Sequence, residues 1–439
     1  MAIGLLLVAV AAAIGHPRWM PAWALPAGAA ILDVVLGVVG PGSAGDAVRP
    51  LLAPVGFLLA AVPLAVMLDR MGLFTALASR VTERGAGPGY LWALAAVVTT
   101  VLNLDAAVVL LTPLYVRVAR RRGWDVVSLA LQPVLLACLA SSALPVSNLT
   151  NLIAVSWSGA TTAQFLAHLA LPSVVAAIVG WWLYRTTVLP PSMRRAALGQ
   201  ATTTGTDGAS PGPEAPPSGP GPEAQQSGPG REAPPWGTKV GGGVVIAVLV
   251  GFTCGPLVGV QPWMVALVAD LVLLASLACA ARSGDGYPRG GQDVVPWNSV
   301  PLGTAALVLA LGVAATAAAR YLPIGPLLQG RGVADLARDS GLAALGANVV
   351  NNLPTLLIAL PRIGHHTPPS LWAVLLGVNM GPVLLVTGSL ASLLWLSTLH
   401  RMGVEVRARD FTRAGLRAGL PAAAAALGAA LLLSLAGVS

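Results

Sequence analysis

Three carboxylates stand inside apolar runs of the chain: Asp33 in ILDVVLG, Asp105 in LNLDAAVVLL and Asp270 in VADLVLL. A carboxylate at mid-bilayer costs about 2.5–3.5 kcal/mol on insertion scales, so residues of this kind mark function by default, and the chemistry open to them is taking up and releasing a proton. Asp105 is the foremost candidate, because Asn103 two residues earlier marks a polar break where helix N-terminal dipoles and free amides would gather. Asp33 and Asp270 each follow a Pro and a Trp near the start of a run and read as equivalents. They serve either to pair with a neighbouring helix or to carry protons.

A second set of residues is suited to replacing the water of a solute. Ser147, Asn148, Thr150 and Asn151 follow Pro145; Asn351, Asn352 and Thr355 surround Pro354; Asn379, Gly388 and Ser389 flank Pro382. Amides and hydroxyls of this kind can bind an uncharged hydroxylated solute or a dehydrated cation, whose polar groups would otherwise go unpaired at a cost of several kcal/mol. Taken singly, each is better read as an interhelical hydrogen bond, worth about 0.6 kcal/mol. Their concentration beside prolines in two separate places is what points to a site. The prolines remove helix donors and the glycines, Gly346, Gly381 and Gly388, permit close helix approach.

These residues need a scaffold, and the composition says which solvent it lives in. Of 439 residues, 56% are hydrophobic and 10% charged, against about 25% charged in soluble domains; the mean hydropathy is +0.77. Apolar runs near the roughly 20 residues that cross a hydrocarbon core recur throughout. The formal charge of +8 does not imply nucleic acid, since the arginines cluster between the runs, at Arg80/Arg84, Arg117/Arg120/Arg121/Arg122, Arg194/Arg195 and Arg401/Arg407/Arg409/Arg413. That is the pattern of cytoplasmic loops. The expected fold is an all-α polytopic membrane protein in the inner or plasma membrane.

Residues 196–240 form a Pro/Gly/Ser/Glu-rich linker, which divides the chain into membrane halves 1–195 and 241–439 and is expected to be cytoplasmic. Arginine clusters flank residues 88–118 on both sides, which predicts a re-entrant helical hairpin with its tip at Asn103–Asp105 rather than a single crossing. A matching hairpin is expected near 340–361, with broken helices at 126–157 and 371–400, so that two inverted repeats each hold one hairpin and one broken transmembrane helix. Ordinary spans are read at 22–40, 51–68, 164–186, 241–259, 262–281, 299–319 and 414–437. The opening MAIGLLLVAVAAAIG lacks the basic segment of a signal peptide and reads as a first membrane helix. Trp181, Trp182, Trp297 and Trp395 read as interfacial anchors.

Several function classes fall away. Cys138, Cys254 and Cys279 have no metal-binding spacing, no P-loop is present, and no nucleophile–base pair stands out. Neither a catalytic residue nor a cofactor nor a metal is expected. His168 lies in a span, as a packing residue or a proton shuttle. The reading is a secondary transporter driven by an ion gradient; a non-transporting membrane scaffold that uses the linker as a docking tail is the alternative from another class. A homodimer and a separate ATPase subunit are both compatible with the sequence.

Five stretches, in this order, carry a resemblance: Met67-Leu-Asp69-Arg-Met-Gly72-Leu-Phe74, Leu102-Asn-Leu-Asp105 through Thr112-Pro113, Pro145-Val-Ser147-Asn148-Leu-Thr-Asn151, Asn351-Asn352-Leu-Pro354-Thr355, and Gly381-Pro382 with Gly388-Ser389-Leu-Ala-Ser-Leu-Leu-Trp395. The chain resembles the ArsB-type arsenite permease family, part of the ion-transporter superfamily that includes NhaD-type sodium/proton antiporters and divalent-anion symporters. The resemblance implies export of arsenite or antimonite as neutral hydroxides in exchange for protons, inverted repeats with two hairpins, and an ATPase subunit in some systems. A cation/proton antiporter or an anion permease of the same superfamily is the runner-up. Two departures stand out: Leu104 occupies the position before the hairpin Asp where the family usually has Asn, and Asn379-Met-Gly381-Pro382-Val383 replaces the family's Asp-Leu-Gly-Pro-Lys. The second removes a charged pair and changes the ion balance of the site.

Overall fold

The computed structural model describes residues 3–8, 21, 23–73, 76, 87–197, 235–283, 300–322, 328, 332–363 and 368–437. Most of the linker, Arg80, Arg84, Trp297 and residues 9–15 of the first run lie outside them. No strand occurs among the described residues. The helices are α1 (Ala24–Val35), α2 (Pro41–Arg70), α3 (Pro88–Leu102), α4 (Leu104–Arg122), α5 (Val126–Leu139), α6 (Leu149–Ser158), α7 (Thr162–Thr187), α8 (Pro235–Cys254), α9 (Pro262–Ser283), α10 (Leu302–Ala319), α11 (Val333–Val350), α12 (Asn352–Ile363), α13 (Pro369–Met380), α14 (Leu390–Arg401) and α15 (Ala408–Leu435). Of these, α2, α7, α9, α10 and α15 are long and apolar enough to cross a membrane.

Local chemistry sets the ends. Helix α4 carries a full set of signals: Asn103 caps it, Asp105 sits in its first turn, Arg120, Arg121 and Arg122 fill its last turn, and Gly123 closes it at φ 61°. Asp125 caps α5 by accepting from the Ser128 amide at 2.7 Å. The run expected to span 22–40 yields only the 12 residues of α1, about 18 Å at 1.5 Å per residue and too short to cross. Gly37, at φ 71°, and the Gly40-Pro41 step end it. In exchange α2 begins ten residues before the expected 51, because a 3-10 turn at Arg49–Leu51 carries the helix past Pro50.

Helices α7 and α15 share a device. Each contains a π turn, Leu166–Ala170 and Gly415–Gly419, directly before a Leu-Pro step at Pro172 and Pro421. Proline has no N–H to give to the preceding turn, and a π bulge is one way to absorb the missing bond.

The packing is reciprocal between the two halves. Helix α1 lies on α10 and α9 on α2; α4 lies on α14 and α12 on α6; α7 lies on α15. Arm α4 ends where Arg120 donates to the carbonyl of Met402 at 3.0 Å, while arm α12 ends where Arg362 donates to the carbonyl of Ala319. Within the second half, α11 and α13 touch backbone to backbone: a Cβ on Gly377 would strike the Ser340 carbonyl, and one on Gly381 would lie 2.6 Å from Ala344 Cα. Trp395, expected at an interface with lipid headgroups, is instead fully buried and donates to the Ala130 carbonyl at 2.7 Å. Its indole serves as a tie between α14 and α5.

Gly377→Leu therefore forces the α11–α13 contact apart and lowers the thermal midpoint of the detergent-purified protein by several degrees, since overpacking costs about 1–3 kcal/mol. Gly428→Ala, where a Cβ meets nothing within 4 Å, leaves it unchanged or raised. Equal midpoints for the two variants would contradict the close approach.

Candidate functional site

Each hairpin turns on an asparagine. Asn103, at φ 143°, and Asn351, at φ 78°, are the only non-glycine residues with positive φ among the described residues. Asn tolerates this region better than other side-chain-bearing residues, and the conformation costs about 1–3 kcal/mol. The side chain recovers part of that: Asn103 Oδ1 accepts from the Asp105 amide at 2.8 Å and Asn351 Oδ1 from the Leu353 amide at 3.3 Å. The two broken helices restart in the same manner, with Asn148 Oδ1 accepting from the Thr150 amide at 3.2 Å and Ser389 Oγ from the Ser392 amide at 3.1 Å.

The starts of α4, α6, α12 and α14 meet around one cavity of about 60 Å³, lined by Asp105, Asn148, Thr150, Asn351 and Asn352 together with the apolar Leu307, Val308 and Leu311 of α10 and Leu390, Ala391 and Leu393 of α14. Four helix N-termini, each worth roughly half a positive charge, face one carboxylate. Among the described residues, no Lys, Arg or His lines the cavity. Asp105 is over nine-tenths buried, and its Oδ1 has no hydrogen-bond partner among the described residues.

Asn379 has another duty. Its Oδ1 accepts from Asn148 Nδ2 at 3.0 Å and Thr150 Oγ1 at 2.6 Å; its Nδ2 donates to Asn151 Oδ1 at 2.7 Å and Ser142 Oγ at 3.2 Å. The amide orientations are forced. Asn151 Nδ2 donates to the carbonyls of Ser141 and Leu144, which can only accept, so its oxygen must face Asn379. All four hydrogen-bonding positions of Asn379 are thus spent on joining the second broken helix to the first.

Of the other candidates, Ser147 donates to the Thr100 carbonyl at 2.6 Å, and Thr355 donates to the Asn351 carbonyl at 2.8 Å while packing on Gly346. A Cβ on Gly388 would lie 3.0 Å from Pro382 Cα. Asn103, Ser147, Asn151, Thr355, Asn379, Gly388 and Ser389 support the cavity without lining it. Asp33 on α1 and Asp270 on α9 are buried and stand apart from it, each with a carboxylate oxygen that lacks a partner in the protein. His168 stacks on Trp372 at 4.5 Å, also away from the cavity.

Two stitches escaped the sequence reading. Thr100 Oγ1 shares its hydrogen between the Ala96 carbonyl at 2.9 Å and the Ala140 carbonyl at 3.1 Å, and Asn348 Nδ2 donates to the Gly381 carbonyl at 2.8 Å, with Asn348 Oδ1 accepting from the Leu385 amide. Thr100 and Asn348 each stand three residues before their hairpin's turning Asn. That shared spacing was the available signal.

Asn379→Asp presents an acceptor to Asn151 Oδ1, and Asn379→Ala strands several partners, at about 1–3 kcal/mol for each buried unsatisfied group. Both variants are expected to lower the thermal midpoint of the purified protein. A wild-type midpoint in Asn379→Asp would refute the interlock.

Comparison with known proteins accords with this architecture. Residues 1–399 match the family model described as CitMHS, citrate transporter. The chain is 24% identical over 436 residues to the arsenical pump membrane protein of Escherichia coli strain K12 and to that of Shigella flexneri, covering 92% of this chain and 92% of each relative. It is 24% identical over 384 residues to the arsenical pump membrane protein of Yersinia enterocolitica, covering 83% and 82%. The protein is a multi-pass membrane transporter of the secondary type and not an enzyme, with a small solute and an ion as its cargo. By the match over residues 1–399, the chain belongs to the CitMHS citrate transporter family.

Proposed function

We propose that this transporter exports arsenite or antimonite as the neutral hydroxide in exchange for protons, as an ArsB-type permease. The cavity at the four helix starts carries the reading. At about 10–15 Å³ per water, its 60 Å³ admits only a few water-sized groups, which suits a small hydroxylated solute such as As(OH)₃. The solute's hydroxyls can donate to Asp105 and to the Thr150 hydroxyl oxygen, whose own hydrogen goes to Asn379, and its oxygens can accept from the Asn352 amide. No thiol lines the cavity among the described residues, so binding would be reversible rather than by arsenic–sulfur bonds. Asp105 is the proton carrier, and the solute displaces its proton or yields to it.

The reading includes two inverted repeats, 1–195 and 241–439, joined by a cytoplasmic linker at 196–240, in the cell membrane with the arginine-bearing loops inside. The reciprocal helix pairing and the twice-used Asn turn support it. Neither a homodimer nor an ATPase subunit is needed to complete the cavity.

A second reading, an organic-anion permease, has an observation in its favour: four helix N-termini attract negative charge, and the family description names citrate. Against it, a tricarboxylate exceeds the cavity and would meet a carboxylate with no cation on the lining.

Expression in an arsenite-sensitive host is expected to restore growth, and everted vesicles to take up arsenite when a pH gradient is imposed, without sodium dependence. Citrate uptake with no arsenite uptake would overturn the assignment in favour of the second reading. Asp105→Asn is expected to cut gradient-driven uptake by at least about tenfold while arsenite counterflow persists; an unaltered pH profile would remove Asp105 from the coupling.

A further inference from the structure

Behind Asp105 lies a second cavity, of about 140 Å³. Its wall comes from Leu58, Val62 and Val66 on α2, Val109 and Leu110 on α4, Pro301 and Thr304 at the start of α10, and Leu394 on α14. The two cavities share only Asp105 and Leu390. Asp105 is thus a partition with a chamber on each face, and its Oδ1 meets no partner in the protein.

The two chambers differ in chemistry. The first is ringed by helix starts and amides. Among the described residues, Thr304 offers the only polar side chain besides Asp105 on the wall of the second, and neither α2, α10, α14 nor the rest of α4 contributes a titratable or charged group to it. The next charged residues or histidines along these helices are Asp69 and Arg70 beyond Val66, Arg117 beyond Leu110, and His400 and Arg401 beyond Leu394, with Arg320 at the far end of α10. A hydroxylated solute shedding its water would find nothing there to bind, at several kcal/mol for each unpaired group. A proton needs only a brief file of waters, and the volume holds about five at roughly 30 Å³ each. Apolar walls wet intermittently, which limits leakage.

We infer that this second cavity is the coupling proton's own route to Asp105, separate from the solute chamber and opening toward the arginine-bearing end. The inference rests on Asp105 being the proton carrier.

The test labels Asp105 in the full-length protein in vesicles with dicyclohexylcarbodiimide, an apolar reagent that adds to a protonated carboxyl. The acid oxygen bonds the central carbon, the proton passes to a nitrogen and no group leaves. Adduct on the Asp105 peptide is read by mass spectrometry, with Asp105→Asn as the blank. Wild type is expected to label. Val66→Trp and Val109→Trp, which fill the second cavity, are expected to cut labelling about tenfold, whereas Val308→Trp, which fills only the solute chamber, leaves it within about twofold. Val62→Phe supplies a smaller filling should a Trp variant elute as aggregate. Unlabelled wild type, full labelling in the filled variants, or loss in Val308→Trp alone would overturn the inference. The label needs no transported solute, so a failure of arsenite transport would sink the proposed function and leave this reading to stand or fall by the labelling.

Discussion

Backbone amides that end inside a hydrocarbon slab must find partners, because no water is there to supply them. Four helices of this protein begin at the centre of the bundle, and everything around the cavity follows from that exposure of N–H groups. Each start is met by an Asn or Ser oxygen. The residual positive potential is met by one carboxylate, and in the proposed function the amide and hydroxyl groups left over address a solute.

In the proposed repeat, the two halves use the same frame with different occupants. Counting from the turning asparagines, Asp105 of the first hairpin corresponds to Leu353 of the second, and Leu104 to Asn352. Counting from the restarts at Asn148 and Ser389, Asn379 corresponds to Cys138. Charge and interlock are therefore each present once. One half contributes the titratable group and the other the amide that binds the halves together, so the cavity is lopsided although its scaffold is paired.

Much of this was legible in the sequence because broken helices advertise themselves: Pro145, Pro354 and Pro382 interrupt long apolar runs, and Asn103, Asn351 and Asn352 sit where the polarity rises. What could not be read was the division of labour among the asparagines. Asn379 and Asn148 are 231 residues apart in the chain yet share a hydrogen bond, and nothing local distinguishes an amide spent on a partner from one facing a cavity. The apolar part of the lining, Leu307, Val308 and Leu311, lies within a uniformly hydrophobic helix whose facing only tertiary packing decides. The short α1 was hidden for a similar reason: hydropathy runs smoothly through Gly37 although the backbone turns there.

The π turns of α7 and α15 place one extra residue in the winding of each helix. An added residue rotates everything beyond it by about 100° around the axis. A single rod can then present two unrelated stripes. Below its bulge α7 offers Phe165 to Trp372 of the second broken helix, and above it the same rod turns Gly180 toward Leu139 and Trp92, and toward Ala422 of its twin α15. A straight helix would have to choose between those neighbours; the slipped winding lets one element grip both the part that frames the cavity and the part that surrounds it.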